Sequence, residues 1–244
     1  MDCQSATHKN PPVASHIVMF HDRVAHESSV LSPDTLAELS RRLTTNPILP
    51  RGAGTPVTIG RGAMERLLPH RGTMLLVDAI DEVDRPSRSI RGHRHFVNED
   101  PGFAGHFPEA PVYPAVLIVE AIGQLSLALL HFADHWHFEV PDDVIPSLVQ
   151  VVRIHVAAFL TPFIPGDTME LHAHVIERDA TVLASGQAWK NGTLAAFAIS
   201  ELRVDNVTYR GRIDEHGVGS RGCDPPARRR RAPLGHPPLE GFLD

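Results

Sequence analysis

The segment Ala115–Leu130 constrains this chain more than any other. Its sixteen residues, AVLIVEAIGQLSLALL, hold only three polar side chains, Glu120, Gln124 and Ser126. A helix that is apolar all round must be buried all round. A membrane span is the first alternative, but the run is short for a bilayer and places a carboxylate near its centre, where charge is costly. The segment therefore predicts a central helix of a folded domain, opened by Pro114 and running to about His131.

What surrounds the helix reads as strand. Met74–Val83 is apolar, interrupted by Asp78, Asp81 and Glu82, and Ser89–Val97 alternates through Ile90, Gly92, Arg94 and Phe96. After the helix, four strand-like segments lie near 147–160, 168–178, 181–190 and 193–204. They are separated by Gly166-Asp167, Arg178-Asp179 and Asn191-Gly192. Asn-Gly between apolar runs is a strong hairpin signal, and short turns favour an antiparallel sheet. Two strands, a helix and four strands predict an α+β fold in which a curved antiparallel sheet wraps around a long central helix.

Composition sets the remaining boundaries. The chain has 244 residues, a formal net charge of −6 and two cysteines, Cys3 and Cys223, near opposite ends. Such a chain can bury a core without staples, and two distant cysteines make neither a disulfide framework nor a zinc ribbon. A reducing, cytoplasmic setting is expected, with no secretory signal in Met1–Pro12 and no nucleic-acid partner. Residues 1–55 read as an extension with one short helix: Ser32 caps it, Pro33 opens it, and Leu36, Leu39 and Leu43 follow at helical spacing. Residues 56–204 form the folded domain. Residues 205–244, with five prolines, six glycines and the run Arg228–Arg231, read as a disordered tail.

Chemistry concentrates at the helix and its entrance. Glu120 sits among apolar neighbours, so burial is expected to raise its pKa and suit it to act as a general acid. Gln124 lies one turn on, on the same face, and could orient it. The rival reading, a buried structural carboxylate, weighs equally on the helix alone. Before the helix comes Gly105-His106-Phe107-Pro108, then Pro111 and Pro114, which bar a continuous helix between His106 and Glu120. A histidine near a helix N-terminus tends to stay neutral and can act as a base. The amides of Ala115 and Val116 lack helical partners and could bind a carbonyl oxygen that gains charge. A base, an acid and an anion-stabilising helix start suit α-proton removal beside a thioester carbonyl, with loss of a β-hydroxyl.

These residues carry a resemblance. Leu67-Leu68-Pro69-His70-Arg71, Leu75-Leu76-Val77-Asp78, Gly105-His106-Phe107-Pro108, Pro114 to Ala121 and Pro165-Gly166-Asp167 occur in the order found in the 3-hydroxyacyl-[acyl-carrier-protein] dehydratases of bacterial fatty-acid synthesis. The chain resembles that family over about residues 60–203, and the resemblance implies a hot-dog fold. It also implies a homodimer, often assembled into a trimer of dimers, that acts on substrates carried by acyl carrier protein. His106 of one subunit would be the catalytic base and Glu120 of the other the acid. Ala115 would offer its amide to the thioester oxygen, with Val116, Tyr113, Gly105, Phe107 and Gln124 as further substrate-binding positions. Glutamate at 120 is similar to the dehydratase-only branch. No cofactor is implied.

Departures leave other readings open. The family usually has glycine at the position of Ala115 and often methionine at that of Tyr113; Tyr113 could narrow a substrate tunnel or donate a hydrogen bond. Thioester hydrolysis and a non-catalytic acyl-binding or scaffold subunit are the alternatives. The acidic domain needs a local basic patch to dock an acidic carrier, and Arg61, Arg66 and Arg71 are candidates. His131 and His135 have i, i+4 spacing, but no third ligand is evident and no metal site is read there. The pairs His93/His95 and His172/His174 are expected to face solvent, and His70 to be structural.

Overall fold

The computed structural model describes residues 31–133, 137–178 and 181–205. Contacts divide the chain into Met1–Ser32 and Pro33 onward; the first unit lies almost wholly outside the described residues, as do His135 and the tail from 206. In chain order the elements are α1 (Pro33–Thr45), β1 (Thr55–Ile59), α2 (Arg61–Leu67), β2 (Ala79–Asp84), β3 (Ser89–His95), α3 (Ala115–Ala133), β4 (Leu148–Phe159), β5 (Thr168–Glu177), β6 (Val182–Lys190) and β7 (Thr193–Asp205). The strands form one antiparallel sheet in the order β1-β2-β3-β5-β6-β7-β4. This sheet curled around α3 is the hot-dog, α+β architecture.

α3 is long and apolar enough to cross a bilayer by length and composition. Here it packs against β3, β5, β6 and β7. Ten of its residues, Ile118 to Phe132, are buried. The sheet admits it because the strands present small residues on the inner face, including Ala173, Ala184, Ala188, Ala196 and Ala198. At Gly186 a Cβ would collide with Ile122, so this crossing requires glycine. The Arg85 guanidinium donates to the Phe132 carbonyl at 3.2 Å and closes the C-terminal end of α3. The β6–β7 turn bears out the hairpin signal: Asn191 and Gly192 both have positive φ, 51° and 76°.

Two elements before the helix went unforeseen, β1 and α2. β1 carries Pro56 and lies at the sheet edge, the place where a strand tolerates proline. The strand expected from Met74 begins only at Ala79. Gly72–Met74 forms a short 3-10 helix, and Leu76 gives its N–H to the Gln124 side chain at 2.8 Å instead of to a neighbouring strand.

The outer face of the sheet departs from expectation. His172 and His174 do not face solvent; their relative exposures are 2% and 6%. For His172 the cause is the segment Pro33–Gly54, which packs on that face. Leu39, Leu43 and Leu49 are each 2% exposed, and α1 contacts β7. Gln187 of β6 donates to the carbonyls of Leu43 (2.6 Å) and Asn46 (2.8 Å) and accepts from the Ile48 amide (2.8 Å). His172 accepts from the Leu49 amide through Nδ1 and donates to Glu170 through Nε2, at 3.4 and 2.9 Å. Glu170 also pairs with Arg51, and its carboxyl is pulled down to about 2, first by His172 and then by Arg51 against the cost of burial. Buried Glu82 accepts from the amides of Gly52 and Gly54 and pairs with Arg91. His93 meets Asp81 at 2.9 Å, which raises its pKa.

Candidate active site

The loop after β3 is anchored before it reaches His106. Arg94 of β3 is buried, donates to Asp100 at 2.5 Å and to the Leu75 carbonyl at 3.0 Å. Asp100 in turn accepts from the Gly102 amide at 2.9 Å. Phe96, Phe103, Tyr113 and Phe163 pack over this ion pair, with Phe96 and Tyr113 centroids 4.4 Å apart. Gly102 has no room for a Cβ beside the Tyr113 ring.

Held this way, the loop turns at Gly105 (φ 85°) and presents His106. The His106 backbone carbonyl accepts from the Val112 amide at 2.9 Å, and its ring Nδ1 lies 2.8 Å from the Val112 carbonyl. A carbonyl can only accept, so Nδ1 carries the proton and Nε2 of a neutral ring offers a lone pair. Phe107 stacks on the imidazole with centroids 4.4 Å apart and is 57% exposed. The peptide between His106 and Phe107 is cis.

Glu120 belongs to a second cluster, one turn into α3. Gln124 donates to Glu120 Oε1 at 3.0 Å, the contact their spacing suggested. Gln124 is itself fixed, since it donates to the Met74 carbonyl and accepts from the Leu76 amide, both at 2.8 Å. The unforeseen member is His70, whose Nε2 lies 3.1 Å from the same Oε1. The expected rise in the Glu120 pKa is overturned. The His70 hydrogen bond, aided by Gln124, outweighs burial and lowers it from the ordinary carboxylate value. Apolar neighbours on α3 pointed to desolvation, but the deciding donors come from His70, fifty residues away, and from Gln124. A signal existed: His70 stands in the Leu67–Arg71 motif, beside the segment that Gln124 binds.

The remaining predicted positions separate. Ala115 and Val116 stand in the first turn of α3, and Val116 is 72% exposed. Tyr113 is buried in the aromatic cluster, its hydroxyl meets no hydrogen-bond partner among the described residues, and burial pushes its pKa up to about 12. Within one chain no described contact joins His106 to Glu120. Of the three candidate docking arginines, Arg61 pairs with Asp78 and Glu65, and Arg66 with Asp142. Arg71 donates to the Leu68 and His70 carbonyls and meets no acid among the described residues. No cluster of metal-ligating side chains occurs among the described residues.

A family model described as the FabA-like domain matches residues 68–199. The 3-hydroxyacyl-[acyl-carrier-protein] dehydratase FabZ of Sorangium cellulosum is 33% identical over 149 residues, 61% of this chain and 92% of the relative. That of a Methylobacterium strain is 39% identical over 133 residues, 54% of this chain and 77% of the relative. Among solved structures, a chain of the dehydratase heterocomplex ApeI:P from Xenorhabdus doucetiae superposes with a TM-score of 0.48 at 13% identity, covering 59% of this chain and 91% of that one.

Proposed function

This chain belongs to the FabA-like domain family, and from that premise we propose that it dehydrates 3-hydroxyacyl thioesters carried by acyl carrier protein to trans-2-enoyl thioesters. The observation that carries the reading is the His106 tautomer. With Nδ1–H committed to the Val112 carbonyl, Nε2 is left as a base at the mouth of α3.

His106 Nε2 takes the α-proton, and the electron pair flows toward the thioester carbonyl. The free amides at the start of α3, Ala115 foremost, stabilise the oxygen as it gains charge. The pair then forms the carbon–carbon double bond as the β carbon–oxygen bond breaks. Glu120 gives its proton to the departing hydroxyl, which leaves as water. The carboxylate and the protonated His106 exchange the proton back through solvent. The lowered Glu120 pKa makes the carboxylate the resting form. Hydration, the reverse reaction, uses that form together with protonated His106: the carboxylate takes a proton from water as the water oxygen adds to the β carbon, and His106 returns its proton to the α carbon.

The functional unit in this reading is a homodimer in the cytoplasm, with His106 of one subunit facing Glu120 of the other. Two features support it. His106 and Glu120 share no contact within one chain. Among the described strands the edge strand β4 has β7 as its one neighbour, and it leaves Val151, Ile154 and Phe159 about half exposed. Arg71, which meets no acid among the described residues and stands next to His70, is the best placed of the three arginines to meet an acidic carrier.

The test is hydration of a trans-2-enoyl thioester, followed by loss of the enoyl ultraviolet absorbance. The reading expects reversible hydration by the wild-type protein. Release of free thiol without hydration would establish a thioesterase instead. A folded protein silent in both assays would establish a non-catalytic subunit.

A further inference from the structure

Both described donors to Glu120 reach one oxygen. Gln124 Nε2 stands 3.0 Å and His70 Nε2 3.1 Å from Oε1, while Oε2 has no hydrogen-bond partner among the described residues. A carboxyl oxygen has two lone pairs, and here Oε1 meets both nitrogens, Gln124 through a hydrogen bond and His70 through an ion-pair contact. A proton carried by Glu120 must therefore sit on Oε2. We propose that His70 is a positioning residue, which with Gln124 clamps Oε1 so that Oε2 is the oxygen that exchanges the proton with the substrate hydroxyl.

The clamp is built from two elements, α3 and the segment after α2. Gln124 is 1% exposed and tied at both ends of its amide to the Met74–Leu76 backbone. His70 arrives from the segment after α2, and its Nδ1 is buried with no partner among the described residues. A carboxylate can only accept, so the proton of a neutral His70 sits on Nε2, facing Glu120, and Nδ1 keeps a lone pair. His70 is the titratable group that contacts Glu120, and removing its donor removes the largest influence that favours the charged carboxylate. The clamp thus fixes which oxygen works and how readily it gives up its proton. The inference rests on the dehydratase reading for its consequence, but not for the geometry.

The test compares His70→Leu, which keeps bulk and loses the donor, with His70→Gln, whose amide nitrogen can stand where Nε2 stands. Two readouts are taken: the pH dependence of enoyl-thioester hydration, and the carboxyl carbon titration of Glu120 by NMR, assigned by its loss in Glu120→Gln. The proposal expects His70→Leu to lower kcat roughly tenfold to a hundredfold, the weight of one hydrogen bond to a charged group, with KM little changed. The acid limb of the hydration profile and the Glu120 titration should both move to higher pH, and His70→Gln should restore much of both. A His70→Leu protein whose Glu120 titrates as in wild type overturns the clamp. So does one whose titration moves while kcat and the acid limb stay put, or a His70→Gln that fails as fully as His70→Leu. If the wild-type protein does not hydrate the thioester, the dehydratase reading falls, and the NMR titration still decides whether His70 holds Glu120.

Discussion

The two faces of one sheet do different work in this molecule. The inner face meets α3 through small and apolar side chains, and the polar cluster of His70, Glu120 and Gln124 is built from α3 and the segment after α2. The outer face keeps His172 of β5 and Gln187 of β6 buried and satisfies them with the backbone of Pro33–Gly54. The matched family model covers 68–199, hence the inner face and its site, and stops short of the covering segment. The proposed site thus lies within the matched residues, while the outer face is closed by a segment outside that match. Damage to the inner site should cost activity at constant stability; damage to the outer seam should cost stability at constant activity per folded molecule.

The largest expected effect belongs to the inner face. His106→Ala should reduce hydration roughly a thousandfold and Glu120→Gln roughly a hundredfold, as loss of general base or acid does, with urea midpoints near wild type. Gln187→Leu is the outer counterpart. It strands two carbonyls and one amide beneath α1, and should destabilise by about 3 kcal/mol in urea unfolding while kcat per folded molecule holds.

A smaller effect follows from His174, held near pKa 4 chiefly by burial, with Arg88 adding to it. The unfolded histidine titrates near 6.5, so the folded state binds its proton less readily. Stability is therefore full above about pH 6.5 and lost as pH falls toward 4, about 2 kcal/mol of it between pH 7 and pH 5. Urea titrations at the two pH values check this, and His174→Asn should flatten the dependence. The smallest effect belongs to Arg51→Ala. That side chain is 76% exposed, so its pair with Glu170 should be worth under about 1 kcal/mol. A larger loss would mean that the outer seam is tied by charge and not by Gln187 and the leucines.

The inner face was legible in the sequence because its signals are local. Sixteen apolar residues demand burial, alternation marks strands, and Asn191-Gly192 marks a hairpin. The elements missed are those whose signal is weak or whose bonds are remote. α2 has seven residues and β1 five, one a proline. The Leu75–Val77 run looks like strand, but its backbone bonds to a side chain on α3. The outer face misled for the same reason: His172 and His174 alternate as solvent-facing residues would, and the Leu49 amide that meets His172 lies more than a hundred residues away. At the site, His106, Glu120 and Gln124 stood out by spacing and resemblance, and the Glu120–Gln124 contact followed from helical geometry. His70 did not, and with it went the direction of the Glu120 shift, because composition reports burial but not donors.

The central claim is that one reaction needs His106 and Glu120 from different subunits. Co-expression of His106→Ala and Glu120→Gln chains under two tags, with purification through both, yields a mixed dimer. In that dimer one site holds both wild-type groups and the other holds neither. The account predicts about half of wild-type hydration activity, far above either variant alone. A mixed dimer no more active than its parents would contradict it.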